Sequence, residues 1–110
     1  MSLIKLPIKT IIYLFCFKIL DVYYKKVIIV NKLGIHARPA TKISEIANKF
    51  NSEIYIEKDG ICANAKSILG ILMLVAPKGT ELVIRAEGPD EVEAVESIAK
   101  LIEEGFGEEI

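Results

Sequence analysis

His36 is the single histidine in a chain of 110 residues. It stands in the run Gly34-Ile35-His36-Ala37-Arg38-Pro39-Ala40, just before an apolar helical periodicity begins. A helix starting after His36 leaves the N–H groups of its first turn without intrahelical partners. Those groups and the helix dipole suit an anion, and the same field favours a neutral, nucleophilic imidazole over the imidazolium. Arg38 adds a permanent charge on a planar fork that matches phosphate oxygens. Pro39 falls in the first turn, where a missing N–H costs nothing. A ring nitrogen, a helix N-terminus and a guanidinium together can accept, hold and release a phosphoryl group. The competing reading is that His36 merely caps the helix and that Arg38-Pro39-Ala40 is ordinary first-turn sequence.

A second candidate is Ser67, which precedes the apolar run Ile68 to Val75, broken only by Gly70. Serine before such a run is an N-cap, and that is the plain structural reading. Ile68, Leu69, Ile71, Leu72, Met73 and Leu74 cannot all face inward from a two-turn helix. About half are expected to be buried. The rest, with Ile68, Leu69, Leu72 and Met73 as candidates, are expected to form an exposed apolar patch beside His36 that marks a docking site. Met73 is the adaptable kind of side chain that surfaces with several partners favour.

The elements that must position these residues follow from periodicity. Residues 23–30 are β-branched and aromatic, a strand; Asn31 to Gly34 is a loop. Ile43, Ile46, Ala47 and Phe50 recur at helical spacing as a buried stripe. Ile54 and Ile56 alternate as a half-buried strand, Asp59-Gly60 signals a hairpin turn, and Ile61-Cys62-Ala63 is a short return strand. The Ser67–Val75 run is too short for a main core helix, and Pro77-Lys78-Gly79 breaks it. Leu82, Ile84 and Ala86 alternate as a further strand. Asp90 and Glu93 have capping-box spacing. Val92, Val95, Ala99 and Ile102 form the stripe of a last helix, which Gly105 ends. The order β-α-β-β-α-β-α predicts an α+β domain: a four-stranded antiparallel sheet with three helices on one face.

Length fits one domain with a modest two-layer core. A formal net charge of −1 without a long basic run argues against nucleic acid as a partner. Cys16 and Cys62 have no metal-ligand or redox-pair spacing, so they are expected to be reduced thiols in a cytoplasmic protein. One histidine and no cysteine cluster make a metal site unexpected, and nothing calls for a cofactor. Residues 1–21 differ from the rest: three lysines, one acidic residue and an apolar run from Ile11 to Phe17. A transmembrane helix needs about 20 apolar residues, and Lys18 interrupts this run, so stable membrane insertion is not expected. No small-x-small cleavage site follows for a signal peptide. The preferred reading is an extension outside a domain of residues 22–110, such as one translated from an upstream start. A membrane-touching segment and a signal peptide remain the alternatives.

The motif Gly34 to Ala40, "GIHARPA", resembles the active-site signature of HPr, the histidine-containing phosphocarrier family of bacterial phosphotransferase systems, G-[LI]-H-[AT]-R-P-[AS]. A second segment, "NAKSILG" from Asn64 to Gly70, is similar to the regulatory serine segment of that family, at the family's separation. The resemblance covers Tyr23 to about Glu104 and implies the HPr-like open-faced β-sandwich. It implies that His36 is phosphorylated on Nδ1 by phosphorylated enzyme I and passes the group to a sugar-specific enzyme IIA. Arg38 then steadies the phosphoryl group, with Pro39 beside it. It further implies that Ser67 is the target of an HPr kinase/phosphorylase and that Ser67-phosphorylated forms can partner a transcription regulator. Such a protein forms a phosphohistidine intermediate but is no stand-alone turnover catalyst, and a monomer is expected. The regulatory relative Crh lacks the active-site histidine, so His36 speaks against that assignment; a carrier of the nitrogen-related branch stays open.

Overall fold

The computed structural model describes residues 22–110. Among these residues the order is β1 (Val22–Ile28), α1 (Ala37–Ala47), β2 (Glu53–Lys58), β3 (Ile61–Asn64), α2 (Ile68–Leu72), β4 (Glu81–Glu87) and α3 (Glu91–Glu103), followed by a 3-10 turn over Gly105–Gly107. This is the order that the periodicity predicts. The expectations for residues 1–21, including Cys16, lie outside the described residues. No helix among the described residues is long and apolar enough to cross a membrane.

The strands form one antiparallel sheet in the order β1-β4-β2-β3. Its register puts Ile84 opposite Lys25 on one side and Ile56 on the other. Period-2 alternation then sends Val27, Ile54, Ile56, Leu82, Ile84 and Ala86 into the core. The residues between them, such as Tyr24, Lys26 and Arg85, fall on the opposite face. The helices cover the inner face. α1 contributes Ala40, Ile43 and Ala47; α3 contributes Ala94, Val95, Ile98, Ala99 and Ile102; α2 contributes Ile71. Asp59 and Gly60 both have positive φ, 47° and 83°. That is the primed turn their sequence predicts between β2 and β3.

Three details differ from the sequence expectations. α1 stops at Ala47, so Phe50 lies past the helix and packs only partly against the core, as does Ile46. Val92 is 52% exposed. Ala94 and Ile98 are fully buried, and they turn the centre of the α3 face away from Val92. The capping box is absent, because the Asp90 side chain makes no cap bond. Its carboxylate instead accepts from the Asn51 and Ser52 N–H groups, each at 2.9 Å, and from the Ser52 hydroxyl at 2.5 Å. The reason is a close approach at Gly88, where φ is +149° and a Cβ would lie 2.6 Å from Ser52 Oγ. That contact turns Asp90 toward the entry of β2. The Gly88 N–H is taken by Glu91 at 3.1 Å.

Candidate functional site

The site begins with a glycine that no other residue replaces easily. Gly34 has φ +68°, and a Cβ there would lie 2.5 Å from the carbonyl oxygen of Ala76. The turn is closed by Gly34 N–H to Asn31 O at 3.1 Å, and Ile35 N–H donates to Ala76 O at 2.9 Å. The segment leaving α2 thus fixes the backbone immediately before His36. His36 itself is extended (φ −106°, ψ −166°) and is the N-cap of α1 by backbone, its carbonyl accepting from Ala40 N–H at 3.0 Å. Its side chain makes no cap bond, so capping does not account for the imidazole.

The ring is engaged elsewhere. Nε2 lies 3.0 Å from each carboxylate oxygen of Glu108. An ionised carboxylate only accepts, so Nε2 carries the proton, and in the neutral ring Nδ1 holds the lone pair. The helix field is therefore joined at this ring by an anionic partner. The hydrogen bond from His36 is the main reason the Glu108 carboxyl lies below the usual carboxylate range. Partial desolvation opposes it, and the hydrogen bond from Asn31 and the charge of Arg38 add to it. The Glu108 side chain is 14% exposed and that of His36 39%.

Glu108 arrives by tertiary structure. Past α3 the chain turns through Phe106, buried with φ +58°. The Phe106 carbonyl accepts from Lys42 Nζ of α1 at 2.6 Å, and Lys32 N–H donates to Glu109 O at 2.8 Å. Asn31, fully buried, donates from Nδ2 to Gly34 O at 2.8 Å and to Glu108 Oε1 at 3.0 Å. Neither Asn31 nor Glu108 is named by sequence reasoning. A buried asparagine in a polar loop carries no distinguishing pattern, and nothing local links residue 108 to residue 36.

Arg38 is exposed and Pro39 is buried in the first turn of α1. His36, Arg38, Lys32 and Glu108 border one open cleft of about 510 Å³. A nucleophilic nitrogen and a guanidinium on one solvent-accessible wall can receive a tetrahedral anion. Among the described residues, no group of three His, Cys, Asp or Glu side chains is placed to hold a metal ion. Cys62 is a free, exposed thiol.

Ser67 is the N-cap of α2, its Oγ accepting from Gly70 N–H at 3.0 Å. Ile68, Leu69 and Met73 are exposed (41, 68 and 71%), whereas Ile71 and Leu74 are buried. Leu72 is partly buried against the core, so it belongs less to the patch than its sequence position suggests. Val75, at 69%, adds to the patch. α2 packs on α1, and the loop leading into it is held there by Ser44 Oγ to Lys66 O at 2.9 Å. The apolar patch thus lies on the helix that packs against α1, the helix whose N-cap is His36.

Comparison with known proteins gives a consistent result. A family model described as "PTS HPr component phosphorylation site" matches residues 23–104. The phosphocarrier protein HPr of Neisseria meningitidis serogroup A is 44% identical over 80 residues, covering 73% of this chain and 90% of that protein. The HPr-like protein Crh of Bacillus subtilis is 45% identical over 73 residues, covering 66% and 86%. The crystal structure of HPr-C-His from Thermoanaerobacter tengcongensis superposes with a TM-score of 0.77 at 45% identity, covering 80% of this chain and 99% of that one. The matched span includes both the turn that presents His36 and the Ser67 cap, and the folds agree throughout it: this chain belongs to the HPr family.

Proposed function

We propose that the chain is a phosphocarrier of a phosphotransferase system, taking a phosphoryl group on His36 Nδ1 from phosphorylated enzyme I and passing it to a sugar-specific enzyme IIA. The observation that carries this reading is the engagement of Nε2 by Glu108, which leaves Nδ1 as the nitrogen with a lone pair. In the forward step that lone pair forms a bond to phosphorus. The bond from phosphorus to the donor's nitrogen breaks, and the donor keeps the electron pair. Positive charge develops on the ring as the new bond forms, and the Glu108 carboxylate, already in place, offsets it without reorganisation. Arg38 holds the phosphoryl oxygens at the start of α1, next to Pro39. The same steps in reverse deliver the group to the acceptor, so the chain needs no cofactor of its own.

Residues 22–110 act as the working domain in this reading, in the cytoplasm where the partners meet it. Ile68, Leu69 and Met73, with Leu72 at their edge, offer the apolar surface on which successive partners dock. Ser67, at the edge of that surface, is the site where a kinase would alter docking.

Purified protein, phosphoenolpyruvate, magnesium and enzyme I test the reading. One acid-labile phosphoryl group is expected on the wild type and none on His36→Ala, whose fold stays intact because the ring fills no core position. Labelling that persists in His36→Ala removes the assignment. Arg38→Lys is expected to transfer more slowly, since an ammonium cannot reproduce a bidentate fork.

A further inference from the structure

We propose that Asn31 is a positioning residue for His36. Its buried amide holds the Glu108 carboxylate on Nε2 and so keeps the ring in the tautomer whose Nδ1 can take a phosphoryl group. The proposal rests on the reading of His36 as the phosphoryl acceptor.

Both N–H groups of the Asn31 amide go to structures that set the ring. One bonds Gly34 O, two residues before His36; the other bonds Glu108 Oε1, the atom that also faces Nε2. The Asn31 Oδ1 is buried without a partner among the described residues. A purely apolar role at this position would be better served by an apolar side chain, so what distinguishes the amide is its pair of donors. Glu108 needs such a hold. It sits on the tail beyond Gly107, where φ is +73°, and its neighbours Gly107, Glu109 and Ile110 are exposed. Among the described residues, Asn31 and His36 are the side chains that hydrogen-bond its carboxylate.

The consequence is chemical. A neutral imidazole exchanges between the Nε2–H and Nδ1–H tautomers, and the hydrogen bond at one nitrogen decides which dominates. With the carboxylate fixed at Nε2, that nitrogen keeps the proton. If the carboxylate swings away, the Nδ1–H form gains population, and that form has no lone pair at Nδ1 with which to attack phosphorus. Asn31 thus acts through Glu108 without touching the phosphoryl group.

The test is ¹⁵N NMR of the His36 ring at about pH 8.5, above the usual imidazole range. The set is the wild type, Asn31→Ala, Glu108→Ala and the double variant, with enzyme I-dependent transfer rates for each. The wild type is expected to show Nε2–H. Asn31→Ala is expected to raise the Nδ1–H fraction and to slow transfer by roughly tenfold, the lower end of what partners that orient a functional histidine contribute in metal sites. In the Glu108→Ala background, Asn31→Ala should not raise the Nδ1–H fraction further, because its effect on the tautomer runs through the carboxylate, whereas loss of the bond to Gly34 O affects only the backbone. The proposal is overturned if Asn31→Ala lowers stability but leaves tautomer and rate as in the wild type, or if its tautomer shift persists without Glu108. Should Asn31→Ala fail to fold, Asn31→Leu, which keeps the volume and removes both donors, takes its place: tautomer and rate as in the wild type there overturn the proposal, and a raised Nδ1–H fraction with slower transfer supports it. A wild type that keeps the Nε2–H ring but takes no phosphoryl group overturns the acceptor reading separately, and with it the role of Asn31 in transfer.

Discussion

His36 and Glu108 meet 72 residues apart in sequence, with Nε2 at 3.0 Å from both carboxylate oxygens. The Glu108 carboxyl is held below its ordinary range mainly by this hydrogen bond. A carboxyl depressed in the folded state adds stability that is fully present above its unfolded pKa, about 4.3, and is lost as pH falls through the folded value. Glu108→Gln should therefore lose stability near neutral pH and show a smaller further loss on acidification than the wild type. Asp90 and Glu96 are depressed as well, so both proteins remain acid-sensitive. Urea midpoints from pH 7 to 3 check this, and a wild-type-minus-variant difference that stays constant across that range would rule it out.

Ser67 links a helix cap to the apolar patch. A phosphoserine adds about −1.5 to −2 charges at the edge of Ile68, Leu69 and Met73. A charge buried without compensation at an interface costs about 2–5 kcal/mol, more than tenfold in affinity. Ser67→Asp, which carries less charge, should slow enzyme I-dependent transfer in the same direction but by less. Ser67→Ala should lose the bond to Gly70 N–H, about 0.5–2 kcal/mol of stability, with near-normal transfer. Equal loss of transfer in both variants would point to the cap, and no loss in either would place Ser67 outside the interface.

Asp90 reaches Ser52 and does not cap its own helix, so stability should depend more on Ser52 than on Glu93. Ser52→Ala removes a buried hydroxyl that donates to the Asp90 carboxylate and accepts from the Asp90 N–H, and should cost about 1–3 kcal/mol. Glu93→Ala, at the unused capping-box position, should stay within about 0.5 kcal/mol of the wild type. Thermal unfolding of both variants measures the contrast; comparable losses would restore the capping box.

Val75 is a β-branched residue at φ +52° that is largely exposed. Its carbonyl and that of Leu74 accept from Lys58 Nζ at 2.6 and 3.0 Å, which holds the turn after α2. The left-handed conformation costs an L-residue roughly 1–2 kcal/mol, and glycine escapes most of that. Val75→Gly should raise the unfolding temperature by a few degrees, the gain being reduced by the extra entropy of glycine in the unfolded chain. A lower melting temperature would show that the valine side chain contributes more than its exposure suggests.

The sequence alone determined the architecture, because period-2 and helical alternation are local properties that read out in order. Leu82-Ile84-Ala86 and Ile54-Ile56 became core strands, Asp59-Gly60 became the primed turn, and Gly105 ended α3. It also singled out His36 and Arg38, since a nucleophilic ring and a guanidinium at a helix start are neighbours in the chain. What tertiary structure decided is which atoms face each other when distant segments close up. The Gly88 approach to Ser52 diverted Asp90 from its cap. The burial of Ala94 and Ile98 exposed Val92, and the packing of α2 drew Leu72 inward. Above all, the turn at Phe106 and the buried amide of Asn31 brought Glu108 to the imidazole. No local pattern encodes a contact made only when residue 108 is folded back against residues 31 and 36. The histidine proposed to accept the phosphoryl group was therefore visible in the sequence, while the contacts that join Asn31 to Glu108 and Glu108 to that histidine emerged only in the folded chain.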